Sequence, residues 1–238
     1  KLTPLGHPSG LLSEAQADRH ALRAAQYLLA MVALMMGVQP LTASWPSWAS
    51  GATYSLVLLL AIVALSRTRI DGHPLGLRQL GWSGKDFGKH ALWGVAGAIA
   101  NIPVVVILGI LGVTAFRFLP PPQHPASMEL LTNPSLFVVL STLFSASLMA
   151  PLIEETAFRG ALLPAMTSVF RNVAAGILAS SLLFASVHPT GIPAWPALAG
   201  VGAMAAMLTY QTRSLVPAIV MHAVHNFATL MLALSLGN

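Results

Sequence analysis

The chain has 238 residues, of which 55% are apolar and only 8% charged, whereas soluble domains carry about 25% charged residues. This composition excludes an ordinary water-soluble globular protein. The absence of cysteine excludes a disulfide framework, cysteine-ligated zinc sites and thiol nucleophiles. The net charge of +5 comes from basic residues scattered over the ends of apolar segments, so it indicates membrane topology rather than nucleic-acid binding.

The apolar residues are grouped in long blocks that lack the alternation of barrel strands. A helix needs about 20 such residues to cross a bilayer of about 30 Å. The sequence therefore predicts an all-α fold, a polytopic transmembrane helical bundle of about seven spans. The predicted spans are residues 22–38, 51–65, 91–116, 136–153 and beyond, 173–187, 196–208 and 215–236. The predicted segments of the chain are an N-terminal segment (1–21), two N-terminal spans with a basic loop (22–90) and a helical core (91–238).

The distribution of basic residues predicts the orientation of these spans. The connection after the first span carries no charge, whereas the connection after the second span carries Arg67, Arg69, Arg78, Lys85 and Lys89. By the positive-inside rule, the N-terminus and this second connection lie in the cytoplasm. Alternation then places residues 120–125 and 189–193 outside. Because the chain is alanine-rich, compact and free of cysteine, we expect an integral protein of a bacterial cytoplasmic membrane.

Three groups of polar residues interrupt the apolar blocks of the core, and ionisable groups inside spans usually mark function. The first group contains Glu154, Glu155 and Arg159. On a helix, Glu155 and Arg159 are four residues apart and can pair, whereas Glu154 is rotated by about 100° from Glu155. Glu154 is therefore left without an obvious partner. The alternative is that both carboxylates are simply solvated at a helix end.

The other two groups contain histidine. His188 follows directly after the predicted span 173–187, and His222 shares one helical face with Asn226 through their i,i+4 spacing. His225 is rotated by about 60° from His222, and we assign it no role. Each group has a structural alternative when it is taken alone, either a hydrogen-bonded histidine or a polar contact between helices.

The spacing around Arg171 predicts that these groups meet. Glu154 precedes Arg171 by 17 residues, and His188 follows it by 17. If Arg171 is the tip of a helical hairpin, the rise of 1.5 Å per residue places both side chains roughly 25 Å from that tip. His222 lies at a similar depth in its own span. We therefore expect the three polar groups to converge in one intramembrane cavity.

Converging glutamate, histidine and asparagine side chains have a recognisable chemistry. A carboxylate and an imidazole that flank one water can activate it for peptide hydrolysis and return the proton to the leaving amine. A histidine and an asparagine on one helical face supply donors for the oxyanion. Alternatively, Glu154, His188 and His222 form a catalytic zinc set of two histidines and one carboxylate. The sequence has no His-Glu-x-x-His run, which excludes a zincin-type helix.

The ordered motifs also resemble a known family. Glu-Glu-x-x-x-Arg at 154–159, Phe-x-x-x-His at 184–188 and His-x-x-x-Asn at 222–226 are similar to the three motifs of the CPBP family, also called Abi. That family comprises CAAX prenyl endopeptidases and bacterial bacteriocin-processing or immunity proteins. The resemblance covers roughly residues 90–236.

The resemblance implies a role for each matched residue. Glu154 would be the water-activating base, His188 its partner, His222 and Asn226 the oxyanion stabilisers, and Glu155 and Arg159 a structural pair. The family is often described as metalloproteases, while another interpretation makes it a glutamate protease without metal. We favour the metal-free mechanism, because pairing of Glu155 with Arg159 leaves a metal only three ligands. Zinc bound by Glu154, His188 and His222 is the alternative.

The predicted function is therefore an intramembrane endopeptidase that acts on a peptide or membrane-protein substrate in the lipid bilayer, with no nucleic-acid partner. Two alternatives stay open. The first is an Abi-type immunity factor or scaffold that retains the motifs without using them for proteolysis. The second is a proton-coupled transporter with a relay of glutamate and histidine. A transporter more often shows two related halves with broken helices, and the sequence shows no such repeat.

Overall fold

A computed structural model describes residues 80–237 and, before them, only isolated positions and short stretches between 18 and 78. Among these residues the fold is helical, apart from a two-residue antiparallel pair between Arg69–Ile70 and His73–Pro74. The predicted all-α bundle is confirmed. The first two predicted spans, 22–38 and 51–65, lie largely outside the described residues.

Six helices follow one another between residues 87 and 237. They are α1 (Phe87–Ala115), α2 (Pro125–Thr132), α3 (Leu136–Phe170), α4 (Val173–Ser186), α5 (Trp195–Thr212) and α6 (Val216–Gly237), with a 3₁₀ turn at Ile192–Ala194 before α5. In the described part of the chain, four segments are long and apolar enough to cross a membrane: Phe87–Ala115, Leu136–Phe170, Ile192–Thr212 and Val216–Leu236. The protein is thus a helical membrane protein.

The predicted spans of the core correspond to α1, α3, α4, α5 and α6, with two differences, which concern α4 and α2. The fourth predicted span, 136–153 and beyond, runs on to Phe170. Helix α4 has only 14 residues, fewer than the about 20 that a full crossing needs. The short helix α2 was not predicted, because it has only eight residues and follows a proline-rich stretch. It is fixed by tertiary contacts instead, since Leu130 is buried against Val138 and Leu230.

Helix α3 contains two π-helical segments, Ser145–Met149 and Thr156–Leu162. Each segment ends two residues before a proline, Pro151 or Pro164. A proline inside a helix has no N–H to donate, and its ring collides with the carbonyl four residues earlier. A wider π turn relieves that collision and lets the helix continue. The structure therefore shows a local widening of α3 on both sides of Glu154 and Glu155.

The helices are antiparallel neighbours, so the bundle has two ends. At one end Leu80 packs in a cluster with Ala161, and the N–H of Leu215 donates to the carbonyl of Gly81 at 3.0 Å. We call this the basic end, because the exposed residues Lys85, Lys89, Arg171 and Arg213 lie at the same helix termini. At the opposite end the N–H of Gln123 donates to the carbonyl of Thr190 at 3.2 Å.

Glycine allows close packing between the helices. A Cβ atom on Gly94 of α1 would lie 2.6 Å from the Cβ of Val220 on α6, and one on Gly112 would collide with the carbonyl of Pro193. Helix α1 therefore rests directly on α5 and α6 at both ends of the bundle. This contact holds α6, the helix that carries His222 and Asn226, at a fixed height beside α3.

Candidate functional site

Glu154 projects from α3 between the two π segments, and its Oε2 atom is buried without a hydrogen-bond partner. The nearest basic atoms are Nε2 of His188 at 3.6 Å and Nε2 of His222 at 3.9 Å. Both separations exceed an ordinary hydrogen bond. A buried carboxylate oxygen without a partner is costly, so this atom is available for a bound water or for substrate.

His188 lies just beyond the C-terminus of α4, where the helix delivers it beside Glu154. Its Nδ1 atom is 2.7 Å from the carbonyl oxygen of Phe184. A carbonyl only accepts hydrogen bonds, so Nδ1 carries the proton and donates it. The Nε2 atom then faces Glu154, and it carries a lone pair whenever the ring is neutral. The i,i+4 hydrogen bond within the Phe184 to His188 motif thus fixes both the tautomer and the ring orientation.

Glu155 is fully buried and binds two basic side chains. Its Oε1 atom accepts from Nη1 of Arg159 at 3.1 Å and from Nδ1 of His222 at 2.7 Å. Arg159 also donates from Nη2 to the carbonyl of Gly202 on α5 at 2.9 Å. The predicted pair of Glu155 with Arg159 is confirmed. The contact with His222 was not predicted, and it means that Glu155 orients the imidazole that faces Glu154.

Asn226 lies one turn beyond His222 on α6, and its Nδ2 atom donates to the carbonyl of Ala146 at 2.8 Å. Ala146 belongs to the first π segment of α3, where the usual hydrogen bonding of the helix is changed. The amide of Asn226 therefore bridges α6 to α3. The second N–H of Nδ2 is left to donate elsewhere, because a carboxamide nitrogen has two donors.

The ring of Phe184 packs beneath the charged groups of the site. It is fully buried, with its centroid 4.4 Å from that of His188 and 5.6 Å from that of His222. The guanidinium carbon of Arg159 lies 4.5 Å from the Phe184 centroid. This arrangement combines a cation-π contact with two aromatic contacts. The ring fixes the spacing between the two imidazoles.

A cavity of about 270 Å³ opens in front of these groups. It is lined by Glu154, His188, His222, Asn226, His225, His124, Ser127, Phe184, Pro189, Thr229 and the apolar residues Ala146, Ala150, Leu198, Val201 and Leu230. The four residues predicted to converge from three separate helices therefore share one cavity.

Two histidines of the cavity wall were not predicted to belong to the site. His225 was set aside because of its rotation on the helical wheel, and His124 lies in a connection with no motif. The pKa of His124 is lowered by desolvation and then by the neighbouring His188, while Glu154 acts in the opposite direction. His124 is therefore a neutral hydrogen-bonding group near pH 7. The backbone bond between Gln123 and Thr190 and the packing of Leu130 of α2 against Val138 and Leu230 bring it close to the site, and no sequence signal shows these contacts.

The orientation of the imidazoles bears on metal binding. His188 and His222 each have Nδ1 held by an oxygen and Nε2 directed at Glu154, as many metal-binding histidines do. However, among the described residues no group of three or more His, Asp or Glu side chains is arranged to hold a metal ion.

Comparison with protein families gives one match, and it covers the helices that build this site. Residues 135–228 match the family described as type II CAAX prenyl endopeptidase Rce1-like. The match includes all three motifs and confirms the resemblance found in the sequence. No curated protein and no solved structure matches the chain. At the family level, this region of the protein is thus similar to CAAX-type proteases of the membrane.

Proposed function

We propose that the protein is an intramembrane endopeptidase that hydrolyses a peptide bond with water activated by Glu154. The observation that carries the proposal is the buried Oε2 atom of Glu154, which has no hydrogen-bond partner and faces the Nε2 atoms of two histidines inside a cavity among membrane helices. The family match over residues 135–228 supports the same class of reaction.

In the proposed mechanism Glu154 and His188 hold the attacking water. The carboxylate oxygen and the Nε2 lone pair both face the same space and both accept hydrogen bonds, so each takes one O–H of the water. As the water attacks the scissile carbonyl, Glu154 accepts its proton and then delivers it to the leaving amine. The apolar wall of the cavity excludes bulk water, which strengthens these interactions.

His222 and Asn226 stabilise the oxyanion of the tetrahedral intermediate in this mechanism. Asn226 donates with the N–H that is not used by Ala146. Because Nδ1 of His222 donates to Glu155, its Nε2 can donate only when the ring is an imidazolium. Glu155 and Arg159 do not touch the substrate in this scheme. They hold the His222 ring so that its donor is already oriented when charge develops.

The proposal needs no metal ion. Glu155 is bound by Arg159 and His222, which leaves Glu154, His188 and His222 as the three side chains of the site that could serve as metal ligands. In this proposal the hydrogen-bond partner of Oε2 of Glu154 is the water that Glu154 activates. The substrate in this proposal is a peptide or a membrane protein in the lipid bilayer, bound through its backbone and apolar side chains.

The cleavage experiment compares the purified wild type with Glu154→Gln in detergent. The probe is an extract of detergent-solubilised bacterial membrane proteins, and new N-termini are identified by mass spectrometry. We expect new termini with the wild type and none with Glu154→Gln. The matched control is Asp86→Asn, which neutralises an exposed carboxylate outside the cavity and should cleave like the wild type. Identical fragment sets from the wild type and Glu154→Gln would rule out the assigned base.

The metal experiment measures zinc content and cleavage before and after a strong chelator, for the wild type and His222→Ala. We expect no stoichiometric metal and no effect of chelation. His222→Ala should retain some activity, because removing one oxyanion donor lowers the rate about 100-fold to 1,000-fold rather than abolishing it. Stoichiometric zinc, with activity lost on chelation and restored by added metal, would make Glu154, His188 and His222 metal ligands.

A further inference from the structure

The basic end of the bundle is closed beneath the candidate site. Leu80 is 2% exposed and packs with Phe158, Ala161 and Leu162 of α3. The backbone of Leu80 also presses against Gly160, where a Cβ atom would lie 2.6 Å from the Leu80 carbonyl oxygen. These contacts place the segment before α1 directly under the second π segment.

Trp82 completes this closure. Its Nε1 atom donates to Oγ1 of Thr156 at 3.1 Å, and Thr156 directly follows the two glutamates in the chain. Thr156 in turn donates to the carbonyl of Leu152 at 2.6 Å. The residues lining the cavity lie at the level of Glu154 or toward the opposite end of the bundle. The described residues at the basic end therefore separate the site from that side of the membrane.

The cavity opens toward the opposite end. Its wall there includes His124, Pro189 and Thr229, which are all exposed, together with Ser127 of α2. Helix α4 has 14 residues and spans only about 21 Å, so His188 and Pro189, which follow it, lie in the wall of the cavity. Helix α2 and the loop before it form one side of the mouth.

The distribution of basic residues indicates which end of the bundle faces the cytoplasm. Among the described residues, Arg78, Lys85, Lys89, Arg171 and Arg213 lie at the basic end. The connections at the opposite end, residues 116–135 and 187–194, contain only one basic residue and one acidic residue. By the positive-inside rule the basic end lies in the cytoplasm. The mouth of the cavity then faces away from the cytoplasm.

From these observations we infer that substrate reaches the site from the extracytoplasmic face, as an extended peptide segment of an exported or membrane-anchored protein. The inference rests on the proposed function for the reaction itself, but the position of the mouth does not. His124, Ser127 and Thr229 offer hydrogen bonds to a peptide backbone at the mouth. Leu198 and Val201 line the deeper wall, where they suit apolar substrate side chains.

The absence of cysteine makes the side of access directly measurable. Ser127→Cys and Thr229→Cys place a thiol at the mouth, and Ser83→Cys places one at the basic end as the matched control. Spheroplasts expressing each variant are treated with a membrane-impermeant maleimide before or after permeabilisation. We expect both mouth cysteines to be labelled in intact spheroplasts, and Ser83→Cys only after permeabilisation. The reverse pattern, or no labelling of either mouth cysteine on the intact face, would overturn the inference.

The same labelling in a Glu154→Gln background separates this inference from the proposed function, because labelling does not require catalysis. Mouth cysteines that label from outside, combined with an absence of cleavage by the protein that retains Glu154, would sustain the access side and refute the endopeptidase proposal. Cleavage in detergent by a protein whose mouth cysteines label only after permeabilisation would sustain the reaction and refute extracytoplasmic access.

Discussion

Arg159 stabilises the site because it is paired with the buried carboxylate of Glu155. Glu155 and Arg159 are both fully buried, and Arg159 is the cation that neutralises Glu155. We expect Arg159→Ala to lower the free energy of unfolding by about 3–5 kcal/mol, because it leaves an uncompensated buried carboxylate. Glu154→Gln should fold normally. Thermal unfolding in detergent measures both variants, and equal stability of the two would contradict the division of roles between the neighbouring glutamates.

The proposed role of Asn226 as a hydrogen-bond donor to the oxyanion can be tested by substitution. Its amide nitrogen is bound to the carbonyl of Ala146, so Asn226→Asp replaces that donor with an acceptor facing another acceptor. We expect Asn226→Ala to reduce kcat about 100-fold to 1,000-fold with a smaller change in KM, as loss of an oxyanion donor does. Asn226→Asp should have a similarly reduced kcat, because a carboxylate cannot donate to the oxyanion. Steady-state kinetics on a cleaved peptide provide the measurement, and full activity of Asn226→Asp would exclude a donor role.

At the scale of single helices, the π segments of α3 decide how the site is built. The segment Thr156–Leu162 lies against the segment before α1, and Gly160 has no room for a side chain beside the Leu80 carbonyl. We expect Gly160→Ala to destabilise the protein by about 1–3 kcal/mol through overpacking. Gly88→Ala is the control, because nothing lies within 4 Å of its Cβ position. A thermal-shift assay should separate the two variants, and equal melting temperatures would argue against this packing.

At the scale of the whole molecule, residues far before the matched family region contribute to the core. Ala21 and Ala25 are buried in the cluster around Leu80, and Ser168 of α3 donates to Asp18 at 2.6 Å. We expect Ala25→Leu to lower stability by about 1–3 kcal/mol because the cluster has no space for added methylenes. Gln26→Leu, at an exposed neighbouring position, is the control. If both variants unfold at the wild-type temperature, the N-terminal segment does not pack against α3 as described.

The sequence by itself determined the membrane bundle, because long uncharged apolar blocks admit few other structures. It also determined the pair of Glu155 with Arg159, since i,i+4 spacing acts within one helix. The common depth of Glu154 and His188 followed from equal spacing on either side of Arg171, where the chain does turn with a φ of 48°. The catalytic roles of these residues stay predictions that the proposed experiments test.

Only the tertiary structure decided how separate helices meet. The bonds from His222 to Glu155 and from Asn226 to Ala146 join positions 67 and 80 residues apart, and periodicity within one helix carries no information about the rotation of its neighbour. The position of His124 depends in the same way on contacts between separate elements, namely the backbone bond from Gln123 to Thr190 and the packing of α2 through Leu130. Which end of the cavity is closed was decided by the packing of Leu80 under Gly160, a contact possible only because two backbones approach without an intervening side chain.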